Sequence, residues 1–239
     1  MGNYYKIIVI VYALTLLFGC GVTGTSTKYN FSSGYYHSKL EGKVNKKYYV
    51  VTSGEDSIKV YAAGDIKANR DSVKSIAVLF TSHEKPANFK QYKFRAEGFD
   101  LDVLSIVFKY RPAVAHFPGQ LNTNFNGALY AGYRIDNYFL TYNKTPFQFT
   151  NRKIRHHGYS IGGFAGVGAA HIDQSVTLNR INYEYDGAVI STGVASEFGF
   201  NKITFGVVFG VDLLTDQNKR LWVNEEKPWI GLSIGLNLN

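Results

Sequence analysis

From Gly98 onward the chain alternates apolar and polar residues over long segments. Phe99, Leu101, Val103 and Val107 fall on one side of a two-residue period, and Asp100 and Asp102 on the other. Phe125, Leu129, Ala131 and Tyr133 oppose Asn124, Asn126 and Arg134; Tyr138, Leu140 and Tyr142 oppose Asn137, Thr141 and Asn143. Ile161, Ala165 and Val167 oppose Gly162, Gly166 and Gly168, and Ile190 and Val194 oppose Ser191, Gly193 and Glu197. Phe205, Val207 and Phe209 oppose Gly206, Gly210 and Asp212, and Ile230, Leu232 and Ile234 oppose Gly231, Ser233 and Gly235. A two-residue period puts each set on its own side of a sheet.

The pattern predicts seven strands, at 98–110, 122–134, 137–145, 157–170, 187–199, 202–213 and 229–238, with tight turns at 135–137 and 200–201. An eighth is expected at Val73–Thr81, with 44–52 as the second choice. Soluble strands are typically ~5–6 residues long, whereas a tilted strand crossing a bilayer needs ~9–11. The polar faces carry Gly, Ser and Asn, not the long Lys and Glu usual on a watered face. That suits the crowded interior of a narrow barrel. In lipid every backbone group must be paired, so such strands must close on themselves.

Residues 29–97 read differently. Short strand-like runs at 35–40, 47–52 and 57–62 are separated by Gly34, Gly42, Gly54 and Gly64. The expectation is a small β-rich module outside the membrane, able to supply the first barrel strand. This zone also holds the basic excess. Residues 28–97 contain 13 Lys/Arg against 7 Asp/Glu, and residues 98–239 contain 12 against 11. A basic segment beside anionic headgroups would be drawn to them. With 18 Tyr, 17 Phe and 24 Gly but 5 Pro and one Met, composition favours strands over a helical bundle.

The first residues carry an export pattern. Lys6 precedes the apolar run Ile7–Leu17, which is too short to span a bilayer but has the length of a signal core. The run ends in Leu17-Phe18-Gly19-Cys20, and Cys20 is the sole cysteine, so no internal disulfide can form. This tetrapeptide resembles the lipobox of bacterial lipoproteins. The resemblance implies a signal peptide over 1–19, lipidation of Cys20 and a tether over 20–28.

The pattern of residues 98–239 resembles the small outer-membrane β-barrel proteins of Gram-negative bacteria, in the size class of the OmpA-, OmpX- and OmpW-like barrels. Trp229–Asn239 looks like their C-terminal assembly signal. The resemblance implies an all-β, antiparallel, up-and-down transmembrane barrel of about 8 strands in the cell outer membrane. Its partners would be membrane lipid, with lipopolysaccharide and envelope proteins as further candidates, and not nucleic acid.

Chemistry is sparse. Arg152, Lys153 and Arg155 precede His156-His157 and are candidate phosphate or headgroup contacts, since Arg pairs bidentately with phosphate. Asp102, Arg134, Glu197 and Asp212 are expected to face inward as a lumen charge network that plugs a narrow barrel. Trp222 and Trp229, with Tyr130, Tyr133, Tyr138 and Tyr142, are candidates for interfacial aromatic girdles. Ser160 lies three residues after His157, so the two point to opposite sides of a strand, and no catalytic triad is nominated. His171 and Asp173 share a face but lack further metal ligands. No catalytic residue, metal or cofactor is expected. Three roles compete: a structural or partner-docking envelope protein; a barrel that binds or passes a small hydrophobic molecule, in a cavity lined by groups such as Phe164, Tyr130 and Phe139; and a soluble, lipid-anchored periplasmic barrel or sandwich.

Overall fold

The computed structural model describes residues 31–40, 44–53, 57–68, 74–80, 82–83, 91–114, 117–147, 150–200 and 203–237. The signal segment, Cys20 and the 20–28 tether lie outside the described residues. The protein is all-β. Its strands are β1 (Gly34–Ser38), β2 (Lys46–Ser53), β3 (Ser57–Ala62), β4 (Ala77–Phe80), β5 (Ser82–His83), β6 (Tyr92–Arg111), β7 (Gln120–Asn122), β8 (Asn126–Lys144), β9 (Thr150–Ile172), β10 (Tyr185–Phe200), β11 (Ile203–Leu214) and β12 (Pro228–Asn237). A short α-helix, α1 (Ala63–Ala68), follows β3, and a turn of 3-10 helix spans Gln217–Arg220.

All strand pairs are antiparallel, and the 12 strands belong to one sheet. β6, β8, β9, β10, β11 and β12 follow one another in up-and-down order. β12 then pairs back with β6, from Ile230↔Tyr110 to Asn237↔Asp102, so the sheet curls into a partial ring. Below Asp102, β1 takes over the same edge of β6, pairing His37 with Arg95 and Ser38 with Phe94. From β1 the sheet continues through β2 and β3 to β4. β5 pairs with the start of β9, at Ser82↔Asn151 and His83↔Thr150. β6, β8 and β9 therefore run through two storeys, and their lower ends are shared with the β1–β5 module.

Two sequence expectations change. About eight strands were expected, whereas the sheet has 12 and the partial ring uses six of them. The two strands expected at 122–134 and 137–145 are one continuous strand, β8, with no turn at 135–137. Ile135-Asp136-Asn137 looked like a turn because of the pair Asp136-Asn137, but Asp136 is polar because it points inward to ion partners. Merging these strands puts the three long connections, 112–125, 173–184 and 215–227, at one end of the ring. The short ones, 145–149 and 201–202, fall at the other. The eighth-strand candidate is β4, which sits at the far end of the module and not in the ring.

Three cores follow from this layout. In the lower storey Tyr36, Tyr48, Val50, Ile58, Val60, Leu79, Phe94, Tyr138 and Leu140 pack together. Inside the ring Leu104, Ile106, Ala128, Tyr130, Phe164, Ala195, Val208 and Trp229 form the second. The long connections fold over the upper end, where Val176, Ile181 and Trp222 pack on Ile172, Val189 and Leu214.

Glycine sets the width of the ring. A methyl group on Gly210 would sit 2.7 Å from the Trp229 ring and 2.9 Å from Phe164. Inner glycines thus leave room for the large side chains that fill the centre, as a narrow ring requires.

The Tyr36 hydroxyl donates to Ser32 O at 2.8 Å within the lower core. Burial pushes its phenol up to about 12, and the nearby Asp136 carboxylate acts in the same direction. A phenol whose folded pKa exceeds its unfolded value of ~10 contributes stability that is complete below pH ~10 and is lost as pH rises through the folded value. The lower core should therefore loosen between about pH 10 and 12. Near-UV circular dichroism over that range should show a shallower alkaline loss for Tyr36→Phe than for the parent. Equal alkaline limbs would contradict the assignment.

Candidate functional site: a ring apolar outside and charged inside

The alternation along the six ring strands is inverted relative to a water-soluble shell. Phe99, Leu101, Leu129, Tyr133, Ile161, Val167, Ile190, Val194, Phe205, Phe209, Ile230 and Ile234 all point outward and are exposed. Val167 is 64% exposed and Phe99 62%, which is unusual for such side chains unless something covers them. No charged side chain points outward along 99–110, 127–135, 159–169, 188–200, 205–213 or 230–234. Asp100, Asp102 and Asp212 are fully buried instead, and Lys109, Arg111, Arg134 and Glu197 almost fully.

A bulge completes this pattern. Leu232 pairs with Phe108 but Ser233 pairs with Ile106, leaving Val107 as the extra residue. A bulge shifts the alternation by one residue. Even-numbered residues face inward up to Ile106, whereas Lys109 and Arg111 do so above it. Without the bulge Phe108 and Tyr110 would point in and both cations out. The signal in the sequence is the run Ile106-Val107-Phe108, where strict alternation fails.

The inner charges form clusters at different heights. In the upper cluster Lys109 Nζ donates to Asp212 Oδ1 and Oδ2 at 2.9 and 3.1 Å and to Ser191 Oγ at 2.9 Å. Ser191 Oγ donates to Asp212 Oδ1 at 2.6 Å, and Arg111 pairs with Asp212 Oδ2. Lys109 also lies 4.4 Å from the Trp229 ring centre, and Arg111 5.3 Å from that of Trp222. In the lower cluster Arg134 bridges Asp100 Oδ1 and Asp136 Oδ2, both at 2.8 Å. The other Asp136 oxygen meets His156 Nε2 at 2.7 Å, and His156 stacks on Tyr138. Between the clusters the Tyr130 hydroxyl pairs with Ser160 Oγ at 2.6 Å, and Ser233 Oγ donates to Glu197 Oε1 at 2.9 Å.

The structure puts Asp102, Arg134, Glu197 and Asp212 all inside, at different heights. Arg134 belongs to the lower cluster, Asp212 to the upper, and Glu197 lies with Ser233. The residues that complete the clusters, Asp100, Lys109, Arg111, Asp136 and His156, were not among the sequence candidates.

The candidate headgroup trio is also divided. Its residues lie in strand β9 and not in a loop. Lys153 and Arg155 are exposed on the outer face, whereas Arg152 is half-buried and donates to Leu79 O at 2.8 Å, tying β9 to β4. Trp222, Trp229, Tyr130 and Tyr138 are buried and form no girdle. An outward aromatic row keeps the candidate Tyr133, paired to Phe99, and otherwise comes from other residues: Tyr159 lies 5.3 Å from Phe198, and Phe198 6.1 Å from Phe205.

The described side chains leave little open space at the level of the lower cluster. The space between Arg134, His156, Ser160 and Glu197 measures about 10 Å³, room for at most one water. Phe164 and Tyr130 belong to the packed core, and Phe139 instead faces outward near Lys93 and His157. The cavity foreseen for a hydrophobic ligand is therefore not formed by these three residues. His171 Nδ1 lies 3.3 Å from Asp186, while Asp173 accepts from Ser175 and the Val176 N–H, which hold its carboxyl below the usual range. Among the described residues no three His, Cys, Asp or Glu side chains are grouped as metal ligands. Compared with known proteins, the chain matches no family model, no curated protein and no solved structure.

Removing one partner from a buried ion cluster leaves the others uncompensated, at a cost of about 3–5 kcal/mol. Asp212→Asn should therefore destabilise the upper ring by about that amount, because Lys109 and Arg111 lose their counter-charge. The midpoint of guanidinium unfolding in detergent reports it. A midpoint within error of the parent's would show that Asp212 does not hold this cluster.

Proposed function

We propose that the six-stranded ring is a closed, plugged β-barrel embedded in the outer membrane of a Gram-negative cell envelope, and that the protein has a structural and partner-docking role there. The observation that carries this reading is the uncharged, apolar outer surface around a charged interior. A soluble monomer rarely exposes apolar patches beyond a few hundred Å², and here the apolar surface encircles the ring. The strip from Phe99 to Tyr110 covers roughly 37 Å at ~3.4 Å per residue, or roughly 28 Å of depth at a ~40° tilt, close to the ~25 Å band of such barrels. The clustering of long connections at one end and short ones at the other also fits, since outward loops are the long ones in this class. Six strands are fewer than the eight of the smallest single-chain bacterial barrels, and the glycine-lined interior is what makes so narrow a ring packable.

On this reading the β1–β5 module sits at the periplasmic end, with the short turns. Cys20, acylated after signal removal, adds a lipid anchor near it, so that this lipoprotein is held by both lipid chains and barrel. The packed core and charge clusters inside the ring support a plug and not a channel. The upper loops and the module are the surfaces left for partners.

Electrophoresis of membrane extracts tests this directly. The unheated protein should migrate faster than the boiled protein, and planar bilayers should show no conductance steps. An unheated band that runs no faster, with protein released to the soluble fraction once Cys20 is replaced by Ala, would favour a soluble anchored sandwich instead. Reproducible ion steps would defeat the plug.

A further inference from the structure

Immediately below the aromatic row the outer face turns basic. Arg95 pairs with Asn137 and Asn137 with His157, one level below Glu97. The next level runs Lys93, Phe139 and Arg155 across β6, β8 and β9, with Lys93 Nζ 5.4 Å from the Phe139 ring centre. On the other side of β6, where β1 leaves the edge, a pocket of about 280 Å³ opens beside Lys93 and Arg95. His37, Ser38, Lys39, Asn45 and Gln91 add polar groups to its lining, and none of the described lining residues is acidic.

Arg95 is preset for an incoming anion. Its Nη2 donates to Glu97 Oε1 at 2.9 Å, and Glu97 is in turn held by the Tyr133 hydroxyl at 2.6 Å. This fixes the guanidinium while its Nε–H has no hydrogen-bond partner among the described residues. A guanidinium with one unpartnered N–H, two lysines and an Asn side chain match a phosphodiester oxygen set, while the Ser38 hydroxyl is spent on Lys93 O. The pocket opens four residues below Phe99, the lowest outward aromatic of β6. That is headgroup depth for a lipid whose chains lie along Phe99 and Leu101.

We propose that this pocket binds the phosphate of an anionic phospholipid from the membrane leaflet next to the β1–β5 module, with Lys39, Lys93 and Arg95 as its contacts. The site rests on the barrel reading for its supply of lipid. It is also distinct from the Arg152, Lys153 and Arg155 stretch, of which only Lys153 and Arg155 face the same outer surface.

The test uses the full chain in neutral detergent micelles, titrated with fluorescent phosphatidylglycerol or phosphatidylcholine. The parent should prefer phosphatidylglycerol. The triple variant Lys39→Gln, Lys93→Gln, Arg95→Gln should lose on the order of a hundredfold in that affinity, because three basic residues beside an anionic surface are removed. The variant Lys219→Gln, Arg220→Gln, with the same kind of change at the opposite end, should bind as the parent does. Millimolar inorganic phosphate should not displace the lipid. Unchanged binding by the triple variant, equal loss in the control, equal binding of phosphatidylcholine, or displacement by free phosphate would each overturn the proposal. The gel-shift assay on the same samples keeps the two readings apart. A lost shift with lipid binding still sensitive to the triple variant would sink the barrel and keep the site. A normal shift with insensitive binding would do the reverse.

Discussion

Asp212 is fully buried between Lys109 and Arg111 inside a ring whose middle band carries no outward charge. That arrangement constrains the rest of the molecule. Buried charges persist only when paired and hydrogen-bonded, so β6, β10 and β11, which supply Lys109, Arg111, Ser191 and Asp212, must stay in register. The same holds lower down, where Arg134 and His156 converge on Asp136 and tie β8 to β9. A one-residue slip of any ring strand would turn its inner charges to the outside and its apolar residues inward. The ion clusters and the outward apolar surface are thus two faces of one register.

The two-storey build follows from strand length. β6, β8 and β9 have 20, 19 and 23 residues, longer than a single membrane crossing requires. Their upper parts join β10–β12, and their lower parts enclose an aromatic core with β1–β4. The aromatic row and the basic pocket lie where one storey gives way to the other. At that level the sequence places Arg95 and Lys93 on the outer face in place of outward aliphatic residues.

The ring strands were legible in the sequence because each face keeps its chemistry over ten or more residues. The inward placement of Asp102, Arg134, Glu197 and Asp212 followed from the same alternation. Lys109 and Arg111 were hidden because the bulge at Val107 reverses the parity, and a bulge leaves only a short apolar run as its trace. Asp136 was hidden because the polar pair Asp136-Asn137 inside a strand reads as a turn when its ion partners Arg134 and His156 are not yet placed. Trp222 and Trp229 were placed in the aromatic row for a related reason, whereas Tyr133 does face outward. Trp222 and Trp229 have the right chemistry for a membrane interface, but here they pack against the buried cations Arg111 and Lys109. The basic pocket could not be seen at all, since it depends on β1 meeting β6 across more than fifty residues of chain.

The central claim is that lipid covers the outward apolar side chains. Depth-dependent quenching tests it most directly. Single cysteines at Ile190, Val194 and Phe198 on the outer face of β10, in a chain with Cys20 replaced, would carry an environment-sensitive fluorophore in vesicles of chain-brominated lipid. The account requires strong quenching at all three, deepest at Val194, and none for a label on Arg180 in the upper loop. Labels at 190, 194 and 198 that escape quenching and react freely with a water-soluble thiol reagent would mean that water or protein, and not lipid, meets this surface.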